Sequence, residues 1–198
     1  MKLIIVRHGQ THDNVNQILA GSRIDSLLNE NGLLQAKKAG LRLKDERIDV
    51  AYVSTQKRAI STADEILKFH HNAKIVNTNS LVDVDSGKFT GLNYKDFLDA
   101  VKKSGKPYVN FRPTGGESTE DLKARVGKFY DNIISKNHDK TVLVVSHKDT
   151  ISALLLHILG KPLSEFDKYG HSNGGVTILE INEDSHKIHF LNSTEHLI

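Results

Sequence analysis

The sequence contains no cysteine among its 198 residues. Disulfide frameworks, thiolate zinc sites, iron–sulfur clusters and thiol nucleophiles are therefore excluded. A chain of this length can bury one sizeable core without such supports, and we expect a single domain over residues 1–198.

Long apolar runs are also missing. No stretch approaches the ~20 apolar residues that a membrane-spanning helix needs. The run at residues 1–6 is too short for a signal peptide, and Arg7 ends it. We therefore expect a cytoplasmic protein without a membrane partner.

The excess of charge is small. The chain has 27 Lys and Arg against 24 Asp and Glu, which gives a net charge of +3 at pH 7. The basic residues are scattered along the chain, whereas nucleic-acid-binding proteins usually cluster them. This balance favours a small anionic ligand and predicts no nucleic-acid partner.

Strand patterns recur along the chain. Residues 3–6 and 141–145 are continuous apolar runs, typical of strands that are covered on both faces in a parallel sheet. Four further strands, the last two forming a terminal hairpin, are predicted at residues 49–53, 74–76, 175–181 and 187–191.

Helical patterns lie between these strands, with apolar residues at spacings of three and four. The alternation predicts a three-layer α/β/α sandwich around a mostly parallel sheet of about six strands, with a small irregular cap at about residues 77–116. The predicted buried helix faces contain Leu33, Ala36, Gly40, Leu43, Ala59, Ala63, Ile66, Phe97, Leu98, Val101, Leu122, Val126, Phe129, Ile133, Ile151, Leu154, Leu155 and Ile158.

Polar residues follow the two apolar strands. Arg7 and His8 come directly after the first strand, and His147 follows the second. Ligands of parallel sheets bind at the carboxyl ends of strands, so the two histidines face each other across one pocket if the two strands are neighbours. Neutral imidazole can attack phosphorus, and Arg7 with Arg58 can hold phosphoryl oxygens, which indicates phosphate chemistry.

Four segments form a distinctive series, namely R-H-G-Q-T-H-D-N at residues 7–14, S-T-Q-K-R-A-I-S-T-A at 54–63, G-G-E-S at 115–118 and V-V-S-H at 144–147. Together they resemble one known family, the histidine phosphatase superfamily, also called the phosphoglycerate mutase-like family. Matches run in the family's order through nearly the whole chain, so the resemblance is specific.

The resemblance implies a phosphohistidine mechanism that needs no metal and no cofactor. His8 would take the phosphoryl group, while a carboxylic acid would protonate the leaving oxygen and then activate water. The residues expected to bind the phosphate or the substrate are Arg7, Gln10, Thr11, Asn14, Gly21, Arg58 and His147.

The carboxylic acid departs from the family's pattern. Asp83 stands where the family normally has Glu, and its side chain is one methylene shorter. Asp85 is the nearby alternative. Phe89 and Thr90 replace the family's Trp and Glu, which changes the expected shape of the leaving-group pocket.

Two rival motifs are discounted. His8 and His12 have the spacing of zinc ligands, but Gly9 follows the first histidine, where the zinc protease motif needs Glu. Residues 170–174 match the serine hydrolase pattern G-x-S-x-G, but a strand pattern follows them where that motif needs a helix.

These observations favour a phosphatase that acts on a small phosphorylated metabolite, as a monomer or homodimer. The alternative is a phosphoglycerate mutase. Mutases of this family usually carry a longer insertion between the acid and the G-G-E-S turn than residues 92–114 supply. A catalytically silent module that binds a phosphorylated ligand is a third reading, because Asp83 replaces the usual acid.

Overall fold

Six strands form one mixed sheet in the computed structural model, which describes residues 1–182 and 185–198. The strand order is β3-β2-β4-β1-β5-β6. The bounds are β1 Lys2–Arg7, β2 Val50–Ser54, β3 Lys74–Thr78, β4 Thr141–Ser146, β5 Val176–Ile181 and β6 His186–Ser193. All six predicted strands are therefore confirmed, although the turn predicted between β5 and β6 lies partly outside the described residues.

The two apolar strands are neighbours in the sheet. β1 runs parallel to β4, with Arg7 opposite Ser146, so both strands end at the same edge. β2 is parallel to both of its neighbours, whereas β5 and β6 pair in antiparallel fashion. His8 and His147 are thus brought together by the register of two central strands.

Helices cover both faces of the sheet. Ile4 and Val6 of β1 belong to the core cluster beneath α2 and α3, while Leu3 and Ile5 belong to the cluster beneath α5 and α6. This alternation along one strand confirms the three-layer sandwich. The helices are α1 His12–Val15, α2 Glu30–Leu43, α3 Lys57–Leu67, α4 Tyr94–Ser104, α5 Thr119–Ile134 and α6 Lys148–Ile158. Within the described residues, no helix combines the length and the hydrophobicity that a membrane crossing requires.

The prediction of buried helix faces is wrong for two residues, which the structure shows to be exposed. Leu33 of α2 and Leu98 of α4 are 38% and 41% exposed. Ala39 is buried on α2, and Phe97 with Val101 is buried on α4. A spacing of three or four selects a helix face, but a neighbouring element decides which residues at the margin of that face are covered.

The cap is more ordered than the sequence suggests. It contains α4 and a core of its own around Phe97. The Phe97 ring lies 5.3 Å from Phe89, 5.5 Å from Phe111 and 5.7 Å from Tyr108, each in an edge-to-face arrangement. Aromatic pairs of this geometry stabilise a small cluster beyond the burial of their area. The cap is therefore held together by an aromatic core of its own.

Candidate active site

A cavity of about 340 Å³ lies at the carboxyl edge of the sheet. Residues from five separate parts of the chain line it, since β1 with the segment after it, α3, the cap, α6 and the loop before β5 all meet there. The lining includes Arg7, His8, Asn14, Arg58, Asp83 and Asp149.

His8 is held in one tautomer. Its Nδ1 atom lies 2.7 Å from the backbone carbonyl oxygen of Gly9. A carbonyl only accepts hydrogen bonds, so Nδ1 carries the proton and Nε2 keeps its lone pair. Burial, together with the nearby His147, Arg7 and Arg58, lowers the pKa of His8 well below its usual value. A buried, neutral imidazole with a free Nε2 lone pair is suited to attack phosphorus.

His147 stands beside His8, with 5.0 Å between the ring centroids. Its Nδ1 accepts a hydrogen bond from Arg58 Nε at 3.2 Å, so its Nε2 donates to the hydroxyl of Ser54 at 2.8 Å. Burial first, and the charge of Arg58 second, lower the pKa of His147 well below its usual value. His147 is therefore neutral and links the guanidinium to the end of β2.

Arg58 joins the elements of the site. The side chain is 2% exposed, and its Nη2 donates to the carbonyl of Gly21 at 2.9 Å and to Asp83 at 3.2 Å. Its Nη1 donates to the carbonyl of Ile24 at 3.0 Å, and its Nε donates to His147. One guanidinium thus connects α3, the loop after α1, the cap and β4.

Arg7 presents a second guanidinium. Its Nη1 donates to the backbone carbonyl of His171 at 2.7 Å, and within the described residues its buried Nε makes no hydrogen bond. A buried N–H without a partner is costly unless an acceptor reaches it, and a phosphoryl oxygen is such an acceptor. His171 itself is fixed by Tyr169 and Thr177, and burial lowers its pKa to about 4.

The loop after β1 is packed against α2 and α3. The backbone N–H of Gly9 donates to Thr62 of α3 at 3.0 Å. A Cβ atom on Gly9 would collide with the backbone of Gly32, and one on Gly32 would collide with the backbone of Gln10. Glycine is required at both positions because the loop and the start of α2 touch through their backbones.

Thr11 and Asn14 form a capping box at α1. The Thr11 hydroxyl accepts from the Asn14 backbone at 3.2 Å, and the Asn14 side-chain oxygen accepts from the Thr11 backbone at 3.1 Å. That oxygen also accepts from Asn173, which donates to the His8 carbonyl too. The oxygen of the Asn14 amide thus accepts hydrogen bonds from the protein itself. The nitrogen of the same amide is a donor and is the group suited to bind an anion.

Asp83 brings a carboxylate close to His147. One oxygen pairs with Arg58 and lies 3.9 Å from His147 Nδ1, while the other accepts from the backbone of Val84 at 3.0 Å. Its own backbone N–H donates to Gln56. The side chain is 20% exposed, so it borders both the buried ring of His147 and the solvent.

Asp85 is placed elsewhere. Its carboxylate forms a salt bridge with Arg23 at 2.8 Å and accepts from the backbone of Gly87, and its backbone N–H donates to Glu117. The described residues that line the cavity include Asp83 and not Asp85. The geometry therefore favours Asp83 as the carboxyl of the site.

Two residues predicted to bind phosphate make hydrogen bonds within the protein. In the described part of the chain, Gln10 does not line the cavity, because its side-chain oxygen accepts from Asn29 and Asn31 at the start of α2. Gly21 does line the cavity, but its carbonyl accepts from Arg58. Gln10 therefore fixes the loop to α2, and Gly21 positions a guanidinium.

Lys148 and Asp149 are among the lining residues that the sequence did not identify. Asp149 stands two positions after His147, and this position at the end of a central strand was the signal that could have identified it. Burial first, and the charge of Asp83 second, raise the pKa of Asp149 to about 6.

Neither rival motif forms a site in the structure. His12 is exposed while its partner His8 is buried, and among residues 1–182 and 185–198 no three acidic or histidine side chains converge as metal ligands. Residues 170–174 form a loop that leads into β5 and not into a helix. The loop contributes Asn173 to the cavity.

The sequence matches one family throughout. The family described as "Histidine phosphatase superfamily (branch 1)" matches residues 3–194. The chain belongs to the histidine phosphatase superfamily. The mixed sheet, with histidines after two neighbouring strands, is therefore that superfamily's fold.

Relatives within the superfamily include both phosphatases and mutases. Phosphoserine phosphatase 1 of Hydrogenobacter thermophilus is 30% identical, over 100% of this chain and 94% of that protein. A 2,3-bisphosphoglycerate-dependent phosphoglycerate mutase of Mesorhizobium japonicum is 35% identical, over 92% of this chain and 93% of that protein. The structure of an alpha-ribazole phosphatase from Shigella flexneri is similar with a TM-score of 0.88 and 25% identity, covering 98% of this chain and 96% of that one.

Proposed function

We propose that this protein is a phosphatase that hydrolyses a small phosphomonoester through a phosphohistidine intermediate on His8. The observation that carries the proposal is the hydrogen bond from His8 Nδ1 to the Gly9 carbonyl. It leaves Nε2 as a nucleophile in a cavity that also contains two guanidinium groups. Phosphatases among the relatives support the same activity.

The other side chains of the cavity supply charge and proton transfer. Arg7 and the amide nitrogen of Asn14 bind the phosphoryl oxygens, because fixed donors stabilise the charge of a phosphoryl transition state. Arg58 adds positive charge beside these donors and keeps Asp83 next to them, while the neutral His147 holds the Arg58 guanidinium in place. Direct contact of His147 with the phosphate stays a prediction. Asp83 exchanges protons during the reaction. Thr11 orients the loop through its capping box.

Access of water to the cavity favours phosphatase activity over mutase activity. Asp83 is 20% exposed at the cavity, so water reaches the carboxyl that would activate it. Residues 92–114 supply α4 and a short turn over this side of the cavity. The relative that is 35% identical keeps the mutase as the second candidate. A cytoplasmic location, a monomeric or homodimeric state, and a reaction without metal or cofactor stay predictions.

Assays of the purified protein distinguish the two activities. We expect release of inorganic phosphate from a panel of sugar phosphates, phosphoglycerates, phosphoserine and nucleotides, with at least one clear substrate. Conversion between 2- and 3-phosphoglycerate is measured in parallel with a bisphosphoglycerate primer. Primed conversion with little phosphate release would identify a mutase, and phosphate binding without any turnover would identify a silent module.

Replacing the two candidate carboxyls identifies the one that takes part in the reaction. We expect Asp83→Asn to lower turnover by about 10²-fold, the usual contribution of a positioned proton-transfer group. Asp85→Asn should change turnover little, because Asp85 pairs with Arg23 outside the cavity. The matched pair is compared by steady-state kinetics on the best substrate of the panel. The assignment is wrong if Asp85→Asn causes the larger loss.

A further inference from the structure

The reaction needs a proton donor for the leaving oxygen, and Asp83 is poorly arranged to be that donor. One of its oxygens accepts from Arg58 and the other accepts from the backbone N–H of Val84. In this geometry both oxygens act as acceptors, which is the role of a carboxyl group that takes up a proton and not of one that donates it. Asp83 is therefore arranged to take up a proton.

Asp149 is a second carboxyl in the same cavity. It stands in the first turn of α6, two residues after His147, and lines the cavity together with His8 and Arg7. One of its oxygens lies 3.4 Å from the hydroxyl of Tyr108, which comes from the cap. The hydroxyl either donates to the carboxylate or accepts from the protonated acid, so this contact suits both forms of Asp149.

We propose that Asp149 donates the proton to the leaving oxygen while Asp83 takes the proton from the attacking water, a division that rests on the proposed function. The two carboxyls approach the cavity from different elements, Asp83 from the cap side and Asp149 from the start of α6. Arg7 lies within electrostatic range of both.

The two steps balance. In the first, His8 Nε2 bonds to phosphorus, the bond from phosphorus to the leaving oxygen breaks, and that oxygen takes the proton of Asp149. In the second, the water oxygen bonds to phosphorus, the nitrogen–phosphorus bond breaks, and the water proton goes to Asp83. Transfer of this proton from Asp83 to Asp149 restores the starting state. One ester and one water have then become one alcohol and one phosphate.

The surroundings of Asp149 favour the protonated form of its carboxyl group. Burial and the charge of Asp83 raise the pKa of Asp149, whereas Lys148, Arg7 and the Tyr108 hydroxyl lower it. The helix N-terminus also favours the charged form. The raising effects are larger, and the resulting pKa of about 6 leaves part of the molecules protonated at pH 7.

Two aryl phosphates test this assignment. The anion that leaves 4-nitrophenyl phosphate is stable without a proton, whereas the one that leaves phenyl phosphate is more basic. We expect Asp149→Asn to lower kcat/KM for phenyl phosphate by about 10²-fold and to change that for 4-nitrophenyl phosphate much less. Asp99→Asn, on the exposed face of α4, is the matched control and should affect neither substrate.

The pH dependence gives a readout that a purely structural role would not change. In the wild type, the ratio of kcat/KM for phenyl phosphate to that for 4-nitrophenyl phosphate should fall as pH rises through about 6, since Asp149 loses its proton there. In Asp149→Asn the ratio should not vary with pH. Tyr108→Phe removes a group that lowers the pKa of Asp149, so the fall should move to higher pH. This second variant keeps the proposal testable even if Asp149→Asn does not fold.

Several outcomes would overturn the proposal. A selective loss of phenyl phosphate activity in Asp83→Asn, with none in Asp149→Asn, makes Asp83 the donor. Equal losses on both substrates, or none, remove Asp149 from the proton transfer while the phosphatase itself stands. If the wild type hydrolyses neither aryl phosphate nor any substrate of the panel, the proposed function fails and this inference fails with it.

Discussion

His8→Ala abolishes turnover, with an expected loss of at least about 10⁴-fold in kcat, because the substitution removes the atom that bonds to phosphorus. The fold should survive, since His8 follows β1 and its ring hydrogen-bonds only to the adjacent Gly9 carbonyl among the described residues. The measurements are steady-state kinetics and thermal unfolding. Acid-labile ³²P bound to protein should be detected in the wild type and be absent from the variant.

His12→Ala is the matched control for this experiment. His12 lies four residues later, at the start of α1, and its side chain is exposed. We expect its kinetics to match those of the wild type. Retained turnover in His8→Ala, or labelling at another residue, would show that a different group attacks phosphorus.

Arg58→Ala should reduce both activity and stability. The side chain supplies hydrogen bonds to two backbone carbonyls, to Asp83 and to His147, and it is almost fully buried. Removing one partner of a buried ion pair costs roughly 3–5 kcal/mol, and the lower figure applies here because Asp83 is partly exposed. Loss of one fixed donor to a developing anion lowers kcat by about 10²–10³-fold. Denaturant unfolding and steady-state kinetics measure the two effects.

Arg58→Lys separates charge from geometry. Lysine keeps the positive charge but has no planar group that can reach four acceptors at once, so we expect a partial recovery of stability and little recovery of activity. Lys57→Ala, at the exposed neighbouring position, is the control for changes at the start of α3. Full activity in Arg58→Lys would show that charge alone suffices.

The sequence was sufficient for the position of the two histidines and insufficient for the roles of some of their neighbours. His8 and His147 were predictable because each follows an apolar run, and parallel strands place such positions side by side. Gln10 belongs to the same motif, and its side-chain oxygen accepts from Asn29 and Asn31 at the start of α2, a direction that the motif alone does not define. A motif defines the order of residues along a loop, whereas the direction of each side chain depends on what packs beside that loop.

Asp149 shows a second kind of property that the sequence could not reveal, namely the pKa of a side chain. Its local sequence gives no sign of its pKa, which depends on burial by the cap and on the charge of Asp83, far away along the chain. The hydroxyl of Tyr108 reaches it from a third segment. Such long-range contacts exist only after the chain has folded, so no pattern at residues 146–150 could have revealed them.

The backbone contact between Gly9 and Gly32 makes the loop after β1 and the start of α2 one rigid body. A flexible loop would lose conformational entropy when substrate binds, at about 1–2 kcal/mol for each residue that becomes ordered. Here that loss occurs when the chain folds, before any substrate arrives. The free energy of substrate binding is then available for stabilising the transition state, and folding stability carries the entropic cost of the ordered loop.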